Sequence, residues 1–496
     1  MRSFRASTPT ILLGLCLIVL GGHFFRLATR TGLWIDELYT WHTVQLPWVD
    51  MVLNRLRRGH SLLYFLMEKS AWQASLALDI PVELRLRLVS LLCWIAAVGV
   101  FALSIRRVLS PVGALAATGV FGFSNIAAVQ AVNARMYSLA LLLAVIHFFA
   151  YLRIEQNGKA AGRAPWLAYF FSTILGVSTT PGFALLAVST LLSFAVRIRS
   201  RAQKTALAAA SLCISALFYA PALYFYMQTP VQIGPVANPA LGILYTAPAL
   251  LTAIGRGVVP SSGIWPRIAF ALSVALAAWI LLTLIRHWGR LPDSVRRALI
   301  VFTVPYAIVF AGMVLSHVTG LTALYAGTDR YLIGLVPVGA FLAGSAFETI
   351  HDRHYAYALL AAVIGVSAGS LASSDTGDGR IFRSELERLC TRTEIAAPAV
   401  VSAPEVVDGA RLYCPRLNVM GTVGINSRSP DTIASLMDKA AQAGHLLVVY
   451  YSGNVPELLG AANETFETSA VLSRRIYGRK SNPIFAIYYF ASPRQR

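Results

Sequence analysis

The reading of this chain turns on "TGLWIDELYTWH", Thr31 to His42. It follows an apolar run, "TILLGLCLIVLGGHFF", Thr10 to Phe25. Two adjacent acids, Asp36 and Glu37, sit among Trp34, Ile35, Leu38, Tyr39 and Trp41 where a chain would leave a bilayer. Aromatic residues are ordinary anchors at that depth. A carboxylate pair there is costly unless it has a partner or a task.

The rest of the chain makes the bilayer the natural setting. It has 496 residues, 56% of them hydrophobic and only 13% charged, with mean hydropathy +0.61. Soluble domains carry about 25% charged residues. The formal net charge of +19 fits a positive-inside bias and anionic lipid head groups. No basic, aromatic-interleaved module of the nucleic-acid-binding kind is present, so no nucleic-acid partner is expected. Cys16, Cys93 and Cys213 lie in apolar runs; Cys390 and Cys414 lie in the polar C-terminal part and would pair if it is exported. No zinc-type cluster is present, and the N-terminal run reads as a retained helix, not a cleaved signal.

Apolar runs of spanning length number about eleven: roughly 9–28, 88–105, 111–129, 135–152, 164–180, 182–198, 204–223, 264–286, 298–317, 331–349 and 355–372. The stretch "SLLYFLMEKSAWQASLAL" from Ser61 carries Glu68 and Lys69 and reads as an interfacial helix. Basic residues crowd alternate connections: Arg106–Arg107, Arg153/Lys159/Arg163, Arg197/Arg199/Arg201/Lys204, Arg286/Arg290/Arg296/Arg297 and Arg353. These belong in the cytoplasm with the N-terminus. The long first loop, a Pro/Gly-rich loop near 224–263 and a short loop before Arg330 then face outward. From about Ser373 the composition becomes that of a soluble domain. "APAVVSAP", "GHLLVVYYSG" and "NPIFAIYYFAS" read as strands and "SPDTIASLMDKAAQAG" as a helix. The expected architecture is a polytopic α-helical membrane protein, 1–372, with an outer-face α/β domain, 373–496.

This topology gathers chemistry at one face. Asp36, Glu37 and His60 lie in the first outer loop, Arg87 near the outer end of the second span, Asn133, Arg135 and Tyr137 at the start of the fourth, and Asp329, Arg330 and Tyr331 at the start of the tenth. A carboxylate can take a proton from an acceptor hydroxyl, and arginine forks suit a departing phosphate. The set fits transfer of a group from a membrane-held lipid phosphate. Singly, each member has a plainer reading. Asp36–Glu37 suits a helix N-terminus, Arg135 and Arg330 suit interfacial anchors, and the aromatics suit a belt. His147, inside an apolar span, reads as a packed core residue.

At these residues the sequence resembles the GT-C glycosyltransferases, specifically the protein O-mannosyltransferase and aminoarabinose-transferase superfamily with its RgtA/B/C/D-like bacterial members. "LWIDELYTW" resembles the Asp-Glu motif of the first outer loop, and "GHSLLYFLMEKSAW" the His-Pro-Pro-Leu-Tyr stretch. "ELRLRLVSLL" resembles the Glu-x-x-x-Arg-Leu-Pro-Ser-like stretch, ending at Ser90. "NARMYSLALLLA" resembles the Glu-Ala-Arg-x-Tyr motif, and "DRYLIGLVP" the Arg-Tyr…Pro motif. The likeness runs from about Leu33 to Pro337. It implies an inverting transferase of the bacterial inner membrane that moves a sugar from a polyprenyl-phosphate donor to a lipid or glycan acceptor. Asp36 would be the general base, Glu37 and Tyr39 would shape the acceptor side, and His60, Arg87, Arg135 and Arg330 would hold donor phosphate. The 224–263 loop would be a mobile cover. Where the family has a second acid this chain has Asn133, where it often has a histidine this chain has Pro181, and Ser61–Leu62 replace the Pro-Pro. Such acid and histidine positions can hold a divalent metal in relatives, and their replacement speaks against metal dependence. Two other classes stay open: a lipid-linked sugar binding or flipping protein, and an inactive relative serving as an assembly partner.

Overall fold

A computed structural model describes residues 8–57, 62–180, 183–197, 252, 264–318, 333–373, 377–392, 397–401, 404–422, 430–451, 456–466, 468–475 and 485–491. The seventh expected span, 204–223, and most of the Pro/Gly-rich loop lie outside the described residues. The chain forms two compact units: Met1–Leu27, Pro47–Ile80 and Leu84–Ser374 make the first, and Ala28–Leu46, Pro81–Glu83 and Asp375–Arg496 the second.

The first unit is helical. Among the described residues four helices are long and apolar enough to cross a bilayer: Ile11–Arg30, Val82–Ile105, Tyr137–Asn157 and Phe270–Arg290. Their outward faces are bare hydrocarbon, with Ile18 71% and Val19 72% exposed. Water would penalise such a surface and lipid would not, so the helices fit a polytopic membrane protein. One further pair of apolar helices meets the same test only when the two are taken together. The expected straight span over 111–129 is two helices, α6 (Pro111–Gly122) and α7 (Asn125–Ala131), bent by 54°. The Ser367 hydroxyl donates to the freed carbonyl of Phe123 at 2.6 Å. An unpaired carbonyl at that depth would be costly, so the serine answers the break.

Small residues bring helices close. Helix α13 (Val336–Phe347) packs along α6. A Cβ on Gly344 would lie 2.6 Å from the Gly113 carbonyl oxygen, so bulk at either glycine would part the helices. Polar groups inside the bundle pair with one another. His147 of α8 (Tyr137–Asn157) is fully buried, within 3.2 Å of both Ser172 Oγ and Thr190 Oγ1, the packed core residue expected of it. The stretch after Ser61 forms a helix, α4 (Leu63–Ala74), that is not among the spanning ones.

The second unit holds a five-stranded mixed sheet, order β2-β1-β3-β5-β4, from β1 (Ala399–Val401), β2 (Val419–Thr422), β3 (His445–Tyr451), β4 (Thr468–Arg475) and β5 (Phe485–Ala491). β1 runs parallel to β2 and β3, and β5 antiparallel to β3 and β4. Leu446 to Val449 of β3 are buried on both sides, the continuous apolar pattern of a covered central strand. Helices α17 (Pro430–Ala443) and α18 (Pro456–Thr465) cover one face through Ile433, Leu436, Ala440, Leu458 and Ala462, which pack on Val400, Leu446, Val448 and Phe490. Helix α16 (Pro404–Tyr413) packs against β1 and β2. A disulfide joins Cys390, just past α15 (Gly377–Leu389), to Cys414 at the end of α16.

This unit is not built from C-terminal residues alone. Helix α2 (Ile35–Gln45), which carries Asp36 and Glu37, packs along α16. A Cβ on Gly409 of α16 would lie 2.5 Å from Leu38 Cδ2. A side chain at that glycine would have to displace the Leu38 side chain.

Candidate active site

The acids owe their setting to the start of α2. Trp34 is extended, φ −89 and ψ 169, and the helix begins at the next residue. Its end is equally legible: Pro47 disfavours helical backbone at the residue before it, and Leu46 turns to ψ 154. The acids fall in the first turn, where unpaired N–H groups favour negative charge. They part there. Glu37 is fully buried, and its Oε2 accepts the backbone N–H of Trp34 at 3.2 Å, the back-reaching half of a capping box. Asp36 stays half-buried, and Tyr39, three residues on, is half-buried beside it on the same face. Thus Asp36 and Tyr39 present to the surroundings of α2 while Glu37 fastens its start.

Neighbours in the same unit hold α2. His42 Nδ1 lies 2.8 Å from Asp408 Oδ2 on α16. The backbone N–H of Leu33 donates to the Tyr413 hydroxyl at 2.8 Å. Tyr413 donates in turn to Glu83 Oε1 at 3.2 Å, and Arg383 Nη1 meets the same oxygen at 3.0 Å.

The first unit holds two of the arginines that the sequence reading singled out. Arg87 is 2% exposed on α5 (Val82–Ile105), and Arg135 is 7% exposed. Arg135 does not open the fourth helix, as the sequence suggests. It lies in the turn between α7 and α8, and Tyr137 is the first helical residue. That turn is braced throughout. Asn133 Nδ2 donates to Gln130 Oε1 at 3.1 Å, Ser138 Oγ donates to the Gln130 carbonyl at 2.7 Å, and Arg135 N–H donates to the Asn133 carbonyl at 2.7 Å. Ser90 Oγ, one turn along α5 from Arg87, donates to the Arg135 carbonyl at 3.2 Å. This brings the two arginine-bearing segments side by side.

Tyr64 completes the brace. Its hydroxyl lies 3.1 Å from Ser90 Oγ. Ser90 has one proton and gives it to Arg135, so Tyr64 is the donor in that bond. Burial first, then the charge of neighbouring Glu68, push the Tyr64 hydroxyl well above the ordinary tyrosine range, which keeps the donor proton in place. Glu68, one turn further along α4, is fully buried as well. Sequence reading noted Glu68 and Ser90 without giving them work in the site, and did not single out Tyr64. Their helical spacing, Tyr64/Glu68 and Arg87/Ser90, was the available signal.

His60, Asp329, Arg330 and Tyr331 lie outside the described residues, as do Ser61 and Pro181. Among the described residues no group of three His, Cys, Asp or Glu side chains is set to hold a metal ion. Asn133 is a neutral amide engaged with Gln130.

No family model and no curated protein matches the sequence. Solved structures do. The crystal structure of ArnT from Cupriavidus metallidurans in the apo state aligns with a TM-score of 0.60 over 97% of this chain and 97% of its own, at 10% identity. ArnT from the same organism bound to undecaprenyl phosphate aligns over 98% of both chains at 15% identity, with a TM-score of 0.41. The apo likeness, spanning nearly the whole chain, is a likeness of fold: the protein has the GT-C fold of ArnT.

Proposed function

We propose that this chain is an integral-membrane inverting glycosyltransferase. It transfers a sugar from a polyprenyl-phosphate donor to a lipid or glycan acceptor at the periplasmic face of a bacterial inner membrane. In this reading 1–372 forms the membrane catalytic part, with a cytoplasmic N-terminus, and 373–496 the periplasmic domain. The observation that carries it is that Arg87, buried near the start of α5, and Arg135, buried in the turn between α7 and α8, lie on segments joined by the Ser90–Arg135 carbonyl bond, in a chain with the ArnT fold. Arginines on adjacent segments suit a phosphate whose lipid tail stays in the bilayer. Fold alone would not decide function. The motifs around Asp36, Arg87, Arg135 and Arg330 supply the rest.

The chemistry is one displacement. Asp36 takes the proton from the acceptor hydroxyl, whose oxygen attacks the anomeric carbon from the side opposite the phosphate. The carbon–oxygen bond to phosphate breaks, the configuration inverts, and polyprenyl phosphate leaves with the bonding pair. Asp36 suits the base because it is only half-buried, in a helix first turn. Glu37 and Tyr39 shape the acceptor side, Glu37 by holding the helix start. His60, Arg87, Arg135 and Arg330 offset the charge that grows on the departing phosphate, with Asn133, Tyr137, Asp329 and Tyr331 beside them. No step is assigned to a metal.

The test uses the purified chain in lipid nanodiscs, incubated with a panel of polyprenyl-phosphate sugars and total envelope lipid and glycan, beside Asp36→Asn. The expected result is release of free polyprenyl phosphate by wild type and not by the variant. Donor binding without release from any donor would overturn the reading in favour of a binding or flipping protein.

A further inference from the structure

We propose that Tyr413, seated on Glu83, is a positioning residue for Asp36. The kinetic half of this inference rests on the transferase reading; the structural half does not. A relay of hydrogen bonds holds the backbone just before α2. Leu33 N–H donates to the Tyr413 hydroxyl (2.8 Å), the hydroxyl donates to Glu83 Oε1 (3.2 Å), and Arg383 Nη1 holds that oxygen (3.0 Å). Every polarity agrees, since the hydroxyl accepts once and donates once. Leu33, Glu83 and Tyr413 are all buried, so water does not substitute for a lost member. Leu33 stands three residues before Asp36. The relay grips the last backbone N–H before the cap, and the next one, Trp34, is held by Glu37.

Tyr413 is itself held from several sides. Its ring meets Phe382 edge-on with centroids 5.9 Å apart, the Arg383 guanidinium carbon lies 5.6 Å from its ring centre, and the next residue, Cys414, is disulfide-bonded to Cys390. A hydroxyl so constrained is a fixed reference point. A base displaced by about 1 Å from its acceptor loses on the order of a hundredfold in rate, so control of the helix start is control of turnover.

The experiment compares wild type, Tyr413→Phe, Glu83→Gln and Glu83→Ala as full-length chains in nanodiscs. It reads amide hydrogen exchange over 31–38, turnover, and Kd for polyprenyl phosphate. For Tyr413→Phe, exchange at Leu33 and the first turn of α2 should rise while the sheet keeps its protection. Turnover should fall about tenfold and Kd should stay within about twofold of wild type. Glu83→Gln retains an acceptor for the hydroxyl and should keep more turnover than Glu83→Ala. Unchanged exchange, or raised exchange with undiminished turnover, would overturn the proposal. Equal losses in the two Glu83 variants would overturn it too, and that comparison stands even if Tyr413→Phe fails to fold. The transferase reading fails separately, on the wild-type chain, before any variant is compared.

Discussion

The helix that bears Asp36 and the turn that bears Arg135 are braced in opposite ways. α2 is held by residues far along the chain: Tyr413 lies 380 residues from Leu33, and Asp408 lies 366 from His42. The Arg135 turn is held by near neighbours in sequence. Ser90 is 45 residues away, Tyr64 is 26 from Ser90, and Gln130 is 3 from Asn133. In the proposed reaction the first element carries the base and the second the phosphate-binding charge. The two functions therefore depend on different parts of the chain, and variants should separate them.

The largest effect should come from the base. Asp36→Asn is isosteric and removes the proton acceptor, so turnover should fall by about 10²- to 10⁴-fold while Kd for polyprenyl phosphate stays at the wild-type value. Arg135→Ala should do the reverse at the level of binding. It should weaken polyprenyl-phosphate affinity about tenfold or more, the equivalent of about 1.4 kcal/mol. Lipid titration of both variants in nanodiscs reads this directly. If Asp36→Asn weakens lipid binding as much as Arg135→Ala does, the division between base side and phosphate side collapses.

Next in size is the packing of α2. Gly409→Val would place carbon where Leu38 Cδ2 and Phe382 Cε1 now sit, at 2.5 and 3.1 Å. Overfilling of this kind costs about 1–3 kcal/mol. Exchange over 35–45 should accelerate and the thermal midpoint should fall, with lipid-phosphate affinity unchanged. A loss of affinity in Gly409→Val would show that the C-terminal unit's packing bears on donor binding.

The same contrast marks how far the sequence could be read. The spanning helices were legible because lipid-facing and buried positions are both apolar, and a run of such residues declares itself. β1, β3, β5 and α17 were legible from period and turn chemistry. β2 and β4 were not: Val419–Thr422 includes a glycine, and Thr468–Arg475 ends in two arginines at an edge of the sheet, so neither makes an apolar run. The break between α6 and α7 escaped because Phe123–Ser124 carries no proline or glycine, and it is answered by Ser367, 244 residues away. On the candidate site, residue types and order pointed to Asp36, Arg87 and Arg135. The dependence of α2 on Glu83, Asp408 and Tyr413 was out of reach, because no local pattern encodes a hydrogen bond across hundreds of residues. The polar-part cysteines, Cys390 and Cys414, were the nearest hint, and they do pair.

A smaller effect tests the local brace. Ser90→Ala removes the bond to the Arg135 carbonyl and leaves the Tyr64 hydroxyl without its Ser90 acceptor. Affinity for polyprenyl phosphate should fall about threefold, the equivalent of about 0.6 kcal/mol, with turnover at saturating donor unchanged. A drop in saturated turnover with intact affinity would mean that the Arg135 turn bears on the chemical step instead of the hold on phosphate.

The smallest effect concerns the other acid of the pair. Glu37 and Asp36 are adjacent and chemically alike, yet one is buried against the Trp34 N–H and the other is half-exposed. Glu37→Gln keeps an oxygen that can accept the Trp34 N–H and loses only the charge, an advantage near a helix N-terminus of about 0.3–1 kcal/mol. Glu37→Ala loses the bond as well, a further cost of about 0.5–1.5 kcal/mol. The thermal midpoint should therefore fall in the order wild type, Gln, Ala, and turnover of folded Glu37→Gln should stay within about threefold of wild type, against the collapse expected in Asp36→Asn. If Glu37→Gln loses as much turnover as Asp36→Asn while remaining folded, the proton acceptor is shared by the pair or belongs to Glu37, and burial would have been a poor guide to which acid works.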